Sequence, residues 1–204
     1  MKKTLLLTCA LWLALAAGCS GLKRFGYEGF DRDEWQQPDR VLAELSLEPG
    51  MRVADIGAGG GYFTFKLADA LGDEGVVYAV DVDPDMTAYL EERSRDEGAA
   101  NVRVILGRFE DPLLPDGEID LVFTSNTYHH LEDRVAYFRD LLTDLAPGGR
   151  VAILELRGTS WFARTFGHFT DRETIVRELG EAGYDEIASH DFIDEQSFTI
   201  FGRR

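Results

Sequence analysis

The sequence predicts an α/β fold in which a mostly parallel sheet is covered by helices on both faces. Short apolar runs alternate with segments of helical periodicity, and glycine or proline ends many of these segments. A chain of 204 residues is also long enough for one domain with its own core. Ligands in such folds bind beyond the carboxyl ends of the strands, so motifs at those positions carry the most functional weight.

The alternation predicts five strands and four helices, followed by two strands in the tail. Each strand is a short apolar run, whereas each helix repeats apolar residues every three or four positions. Pro84 fits an early helical position, where its missing N–H costs little. Gly183 fits a helix terminator, and Thr170 or Asp171 fits the cap at the start of the same helix. In chain order the predicted elements are a strand at 52–56, a helix at 62–71, a strand at 75–80, a helix at 84–97, strands at 102–106 and 119–124, a helix at 131–145, a strand at 150–156, a helix at 171–182, and strands at 185–190 and 197–201.

The composition excludes several classes of protein. A net charge of −16 repels phosphate backbones, which argues against a nucleic-acid partner, and it otherwise favours solubility. The two cysteines, Cys9 and Cys19, both precede the predicted folded region. The core therefore has no disulfide framework, no cysteine-based zinc site and no thiol nucleophile, and no metal site is predicted.

The N-terminal segment has the organisation of a secretion signal. A basic start at Lys2 and Lys3 precedes an apolar run at 5–17, which is shorter than the roughly 20 residues of a membrane span. The small residues before Cys19 resemble a bacterial lipobox, and Ser20 resembles the outer-membrane sorting pattern. This resemblance implies a lipoprotein signal peptide at 1–19 with a lipidated Cys19, followed by a tether at 20–34 and a folded domain at 35–204. It also implies a lipid-anchored position in the bacterial cell envelope, at the outer membrane and facing the periplasm. The alternatives are an ordinary cleaved signal and an uncleaved anchor.

The glycine-rich segment 55–61 ends the first predicted strand and marks the main candidate site. Glycines there allow a tight turn and the close approach of a ligand. The nicotinamide fingerprint would place a third glycine where this chain has Tyr62, and Asp55 at the turn would oppose a pyrophosphate. Asp55 suits a cationic amino group instead, and Asp81 at the end of the second strand suits a ribose diol. The pair describes a ligand that carries an ammonium and a ribose but no phosphate.

Several segments together resemble the motifs of class I S-adenosylmethionine-dependent methyltransferases, of the type 11-like kind. Segment 53–62 (VADIGAGGGY) is similar to the first motif of that family, 80–81 to the second, 120–131 to the fourth, and 145–150 to the turn before the fifth strand. Segment 35–39 (WQQPD) resembles a stretch that some subfamilies place ahead of the core, over the cofactor. The resemblance covers roughly 35–201 and implies a Rossmann-like, seven-stranded fold with one antiparallel strand.

The resemblance also implies S-adenosylmethionine as the cofactor and a set of residues that bind it. Arg108 occupies the place where the family has an acid for the adenine amino group, so Phe109 is expected to stack on adenine and Glu110 to replace the acid. The expected cofactor-binding residues are Asp55, Gly57, Ala58, Gly59, Gly61, Tyr62, Asp81, Val82, Phe109, Glu110 and Asn126.

The segment after the fourth strand contains the candidate catalytic residues. His129 and His130 lie close to where the methyl group would point, and a histidine can act as a base near neutral pH. Tyr128, His129 and His168 are the expected substrate contacts, with His168 in an aromatic loop after the fifth strand. Packing against the core is the alternative role for each of these histidines.

The predicted function is methyl transfer from S-adenosylmethionine to a small or membrane-associated acceptor, by in-line attack on the sulfonium methyl. The expected partners are a small-molecule or lipid-like acceptor and the membrane. A lipid-anchored binding module that keeps the fold without turnover is the alternative. A nicotinamide-dependent enzyme is a third interpretation, which Tyr62 and Asp55 disfavour.

Overall fold

The computed structural model describes residues 32–159 and 169–204, and these contain one seven-stranded sheet. The strands are β1 (Arg52–Ile56), β2 (Val76–Asp81), β3 (Val102–Leu106), β4 (Ile119–Ser125), β5 (Leu145–Leu156), β6 (Tyr184–His190) and β7 (Gln196–Arg203). They lie in the order β3-β2-β1-β4-β5-β7-β6. β1 to β5 run parallel, and β7 is antiparallel to both of its neighbours. This arrangement confirms the predicted fold class.

Helices pack on both faces of this sheet. The helices are α1 (Arg32–Gln36), α2 (Pro38–Glu44), α3 (Tyr62–Leu71), α4 (Pro84–Glu97), α5 (Arg134–Leu141) and α6 (Arg172–Ala182), with a short 3₁₀ helix at Tyr128–His130. One face holds α2, α3 and α4, whose apolar side chains include Val41, Leu67 and Leu90, and the other face holds α5 and α6 with Phe138 and Leu179.

The register places the functional turns side by side. Ile56 pairs with Val80 of β2 on one side and with Thr124 of β4 on the other. The chain passes from β1 to β2 and β3 on one side and then returns to β4 on the other side. The end of β1 is therefore the topological switch point, where parallel sheets bind ligands.

Three sequence predictions differ from the structure by more than two residues. The helix predicted at 131–145 is shorter, because the Asp133 side chain accepts a hydrogen bond from the Ala136 N–H and starts α5 at Arg134. Strand β5 begins at Leu145 rather than at Arg150, since the proline–glycine turn is a bulge inside the strand, opposite the Ile119/Leu121 register shift. Helices α1 and α2 had no sequence prediction, and α1 begins inside the segment assigned to the tether.

Several sequence predictions lie outside the described residues. These are the signal peptide at 1–19 with Cys19, the tether as far as residue 31, and His168. Among the residues that the structure does describe, no helix has the length and apolar character needed to cross a membrane.

Candidate functional site

A cavity of about 970 Å³ lies beyond the carboxyl ends of β1, β2 and β4. Its walls come from the turns that follow these strands, and α1 adds Arg32 and Trp35 from the N-terminal side. Pockets for small ligands generally enclose about 300–1,000 Å³. The cavity is therefore large enough for a cofactor together with part of a second small molecule.

The carboxylate of Asp55 lines this cavity and is almost completely buried, at 3% exposure. The Thr64 hydroxyl of α3 donates a hydrogen bond to Asp55 Oδ2 over 2.6 Å. Burial raises the pKa of the Asp55 carboxyl to about 6, while the Thr64 hydrogen bond and the charge of Arg32 act in the opposite direction. A buried carboxylate of this kind is stabilised by a cationic ligand.

The turn after β1 needs its first glycine for two reasons. The backbone N–H groups of Gly57 and Ala58 donate to Val80 O over 2.9 and 3.0 Å, which ties the turn to β2. Gly57 has a φ of 76°, and a Cβ at this position would lie 2.1 Å from the Thr127 hydroxyl. The missing side chain therefore makes room for the protein's own Thr127, in addition to allowing the left-handed turn.

Asp81 is held rigidly on the opposite side of the cavity. Its Oδ2 accepts a hydrogen bond from the Gly59 N–H over 2.8 Å, and its Oδ1 accepts one from the Asp83 N–H over 2.9 Å. Each carboxylate oxygen can accept a second hydrogen bond. Asp81 can therefore receive two hydroxyl groups of a ribose while the glycine turn stays in place.

Helix α1 covers the N-terminal side of the cavity through a polar and aromatic cluster. The Arg32 guanidinium stacks on the Tyr62 ring at 3.9 Å, and the Tyr62 hydroxyl donates to Asp33 Oδ1 over 2.5 Å. Lys66 of α3 forms an ion pair with the same Asp33 at 3.2 Å. Burial lowers the pKa of Arg32, against the charges of Tyr62, Asp55 and Asp33. These contacts fix α1 over the site.

The two adjacent histidines occupy different positions. His130 lines the cavity, whereas His129 lies behind it, with the two ring centroids 4.0 Å apart. His129 Nδ1 lies 2.8 Å from Oε1 of Glu155, a fully buried residue of β5. Tyr128, expected as a substrate contact, is instead fully buried and donates its hydroxyl to Glu178 over 2.7 Å, because its ring packs beside Phe138 in the core.

The adenine end of the expected site is open. Phe109 and Arg108 line the cavity, and Phe109 is 66% exposed, so its ring is available for stacking. Val82 also lines the cavity and is partly exposed. Glu110 is exposed and lies outside the cavity wall. The structure therefore offers Phe109 for adenine but does not place Glu110 beside it.

Most of the expected cofactor-binding residues come together in this one cavity. Its lining includes Asp55, Gly57, Ala58, Gly59, Tyr62, Asp81, Val82, Phe109 and Asn126. Gly61 instead caps α3, with a φ of 85° and with Phe65 and Leu90 where a side chain would stand. A buried carboxylate, a second carboxylate with free acceptor capacity and an exposed aromatic ring fit the ammonium, ribose and adenine of S-adenosylmethionine.

Sequence reasoning missed four polar residues of this region. Glu155 interrupts an otherwise apolar strand, and this break in the pattern could have identified it. Gln36 belongs to the segment that was expected to cover the cofactor. Arg32 and Gln196 carry no pattern of their own, and only the tertiary structure brings them to the site. Over the described ranges 32–159 and 169–204, no group of three or more metal-binding side chains is present.

Comparison with known proteins agrees with this geometry. Residues 47–196 match the family model described as a methyltransferase domain. The chain is 32% identical over 116 residues to the ubiquinone/menaquinone biosynthesis C-methyltransferase UbiE of Shewanella woodyi, which covers 56% of this chain and 46% of the relative. It is 29% identical over 150 residues to an arsenite methyltransferase of Halobacterium salinarum, which covers 70% of this chain and 38% of that protein. The chain thus spans less than half the length of these curated relatives.

A solved structure extends the similarity to the whole described fold. A SAM-dependent methyltransferase from Aquifex aeolicus superimposes with a TM-score of 0.83 at 25% sequence identity, and the match covers 89% of this chain and 97% of that one. The chain therefore belongs to the methyltransferase domain family, which confirms the sequence prediction of a class I S-adenosylmethionine-dependent methyltransferase.

Proposed function

We propose that this protein transfers a methyl group from S-adenosylmethionine to a small acceptor molecule with an apolar body. The observation that carries the proposal is the pair Asp55 and Asp81, two carboxylates at adjacent strand ends in one cavity. The buried carboxylate suits an ammonium and the other suits a ribose diol, and S-adenosylmethionine carries both groups. When bound, the cofactor supplies a methyl group that its sulfonium makes electrophilic.

The remaining cavity wall supports an acceptor with an apolar body. Trp35, Leu131, Tyr137 and Leu156 all line the cavity. Such a surface orients an aromatic or alicyclic acceptor by packing, and α1 limits the access of water. Orientation and exclusion of water are the main contributions that a protein makes to this displacement, because the cofactor is already activated.

The histidine pair gives the cavity a route for the proton that some acceptors release. His130 faces the cavity and would contact the acceptor. His129 lies against it with the two ring planes tilted by 46°, and the carboxylate of Glu155 at its Nδ1 fixes the orientation of the ring. An imidazole can take a proton near neutral pH, so we assign the role of general base to this pair.

The relatives offer two kinds of acceptor, and the composition of this chain favours one. One relative acts in ubiquinone and menaquinone biosynthesis, and the other methylates arsenite. Arsenic binds thiolates, and neither Cys9 nor Cys19 belongs to the methyltransferase domain. The apolar wall favours an organic acceptor, so a quinol-like ring is the first compound class to test.

Calorimetric titration with S-adenosylmethionine and its demethylated product tests the cofactor part of this proposal. The wild type should bind both, and Asp81→Asn should bind each at least about tenfold more weakly, because an amide keeps only one of the two acceptor oxygens of the carboxylate. Asp96→Asn makes the same change at an exposed carboxylate of α4 outside the cavity and serves as the matched control. Absence of binding by the wild type would overturn the proposal.

Transfer of labelled methyl groups to quinol-type acceptors tests the second part. The wild type should label the acceptor, and His130→Ala should lower the rate while the affinity for the cofactor stays unchanged. Binding of the cofactor without transfer to any acceptor would instead support a binding module with the same fold.

We further propose that Cys19 carries a lipid that holds the protein at the cell envelope. The support is the sequence pattern of a basic start, a short apolar run and small residues before Cys19. Labelling cells with a radioactive fatty acid should mark the wild type and leave Cys19→Ala unmarked. Equal labelling of both proteins would contradict the proposal. A membrane anchor would bring the active site close to lipid-soluble acceptors.

A further inference from the structure

Three carboxamide side chains form a hydrogen-bonded chain that ends at the cavity. Gln36 Nε2 of α1 donates to Gln196 Oε1 of β7 over 3.0 Å, and Gln196 Nε2 donates to Asn126 Oδ1 over 2.7 Å. Gln36 and Gln196 are fully buried, whereas Asn126 is partly exposed and lines the cavity. The three residues come from distant parts of the sequence, so only the fold joins them.

The contact between Arg32 and Gln36 sets the direction of every hydrogen bond among the three carboxamides. Arg32 Nε donates to Gln36 Oε1 over 2.5 Å, and a guanidinium cannot accept. The oxygen of Gln36 must therefore face Arg32, which turns its Nε2 toward Gln196 and toward the Ser125 hydroxyl at 3.1 Å. Gln196 then presents its oxygen to Gln36 and its nitrogen to Asn126.

Asn126, at the cavity end of the three carboxamides, keeps one N–H donor group for a ligand. The oxygen of Asn126 is engaged by Gln196, so Nδ2 is the atom that remains for a ligand. Within the described residues, no side chain or backbone group accepts a hydrogen bond from this nitrogen. Asn126 has a φ of 55°, and its backbone N–H is bonded to Leu154 O over 2.8 Å, so the backbone holds the side chain in place.

The position of this donor points to one part of the cofactor. Asn126 follows β4 two residues after Thr124, which pairs with Ile56, and the adjacent Thr127 packs on Gly57. Asn126 is thus beside the Asp55 end of the cavity and away from the ribose end at Asp81. The ammonium and carboxylate of an amino acid share one carbon atom. A site that holds the ammonium at Asp55 consequently needs a donor for the carboxylate next to it.

We propose that Arg32, Gln36 and Gln196 are positioning residues that hold Asn126 Nδ2 as the hydrogen-bond donor for the carboxylate of the methionyl part of the cofactor. This inference rests on the proposed function, since it assumes S-adenosylmethionine in the cavity. It assigns a role in binding to two buried glutamines that do not touch the ligand.

Two substitutions of unchanged size remove the donor from the cavity, one directly and one by reversing the hydrogen bonds that lead to it. Asn126→Asp replaces the donor itself with an acceptor. Gln36→Glu keeps the bond from Arg32 but accepts at its second oxygen too, so Gln196 must turn its nitrogen toward residue 36 and its oxygen toward Asn126. Asn126 then turns its own nitrogen away from the cavity. Thr199→Val is the matched control, because Thr199 is buried in the same strand as Gln196 and its hydroxyl has no hydrogen-bond partner among the described residues.

Binding of two ligands, measured by calorimetry, tests the inference. S-adenosylhomocysteine carries the same amino-acid carboxylate on its homocysteinyl part, and 5′-methylthioadenosine lacks the whole amino-acid part. Asn126→Asp and Gln36→Glu should each weaken the binding of S-adenosylhomocysteine about tenfold or more and change the affinity for 5′-methylthioadenosine by no more than about twofold. The control Thr199→Val should change the affinity for either ligand by no more than about twofold.

Two outcomes would overturn the inference. One is unchanged binding of S-adenosylhomocysteine to either variant, and the other is equal weakening of the two ligands, which would indicate a general disturbance of the cavity. Failure of the wild type to bind S-adenosylhomocysteine at all is a different result, because it rejects the proposed function itself.

Discussion

The side chain of Asp55 combines a binding role with a cost in stability. Its carboxyl is buried, and burial raises its pKa from the ordinary 3.8 to about 6. A group whose pKa is higher in the folded state favours folding when protonated, and this advantage is lost as the pH rises through the folded pKa. At neutral pH the ionised carboxylate therefore destabilises the free protein, and a bound cation would compensate for this.

Asp55→Asn should therefore make the free protein more stable while it weakens cofactor binding. The gap between 3.8 and about 6 corresponds to at most about 3 kcal/mol at pH 8, and the gain should be smaller at pH 5. Asparagine can still accept the hydrogen bond from Thr64, so the local geometry is kept. Urea unfolding at the two pH values measures the effect. A loss of stability at pH 8 would show that the carboxylate has a compensating partner.

The same carboxyl should make cofactor binding depend on pH. The affinity for S-adenosylmethionine should rise between pH 5 and pH 7, because only the ionised Asp55 attracts the ammonium, and it should then level off. Above about pH 8 the α-amino group of the ligand begins to lose its proton, and the affinity should fall. Calorimetric titrations across this range give the profile. Asp55→Asn is the control, and it should remove the rise between pH 5 and pH 7.

At this scale the sequence predicted the residues that a motif identifies and missed those that only packing brings together. Asp55 and Asp81 end apolar strands next to glycines, so their place in a parallel sheet could be inferred. Gln196 is a polar residue in the tail, and nothing in its surroundings indicates that it meets Gln36 across the sheet. Tyr128 was misplaced because an aromatic residue after a strand packs as readily in the core as in a pocket.

The observed helices and strands agree with the predicted ones where the sequence has strong capping and terminating residues. Helix α4 begins at Pro84 with the Asp83 side chain as its cap and ends at Glu97, after which Gly98 adopts the left-handed conformation, and both boundaries were predicted. The helix after β4 was predicted too long because apolar residues continue on both sides of it. Residues 131–133 instead connect the 3₁₀ turn at Tyr128–His130 to α5, and residues 142–144 form turns before β5 begins at Leu145. Apolar periodicity alone does not separate these elements.

Helix α5 should depend on its capping residue. Asp133→Ala removes the side chain that accepts from the Ala136 N–H, and it should lower the free energy of unfolding by about 1 kcal/mol. Asp140→Ala removes an exposed carboxylate near the end of the same helix and serves as the control, with an effect within about 0.5 kcal/mol. Chemical denaturation of the three proteins gives the comparison. Equal effects of the two substitutions would show that charge, and not capping, determines the result.

The arrangement of strands and helices across the whole molecule explains why this fold could be inferred from a single sequence. Each strand–helix unit repeats the same periodicity, and a parallel sheet is the arrangement that buries all of the strands at once. The reversal of β7 is not visible in any single segment, and it entered the prediction through the family resemblance. The net charge of the molecule, in contrast, follows directly from the sequence, and it predicts how the stability of the protein depends on salt.

An excess of 16 negative charges should make the stability of the protein depend on salt. Like charges on a compact surface repel one another, and the screening length falls from about 30 Å at 0.01 M salt to about 10 Å at 0.1 M. Salt also weakens exposed ion pairs such as Arg204–Asp185, but 37 acidic residues face only 21 basic ones, so relief of repulsion should dominate. The midpoint of thermal unfolding should therefore rise between 0.01 and 0.3 M NaCl by about 2–4 °C, the shift that 1 kcal/mol gives in a protein of this size. Scanning calorimetry measures the shift, and sodium chloride and potassium chloride at equal ionic strength should give the same result. A midpoint that falls over this range would mean that local ion pairs outweigh the repulsion.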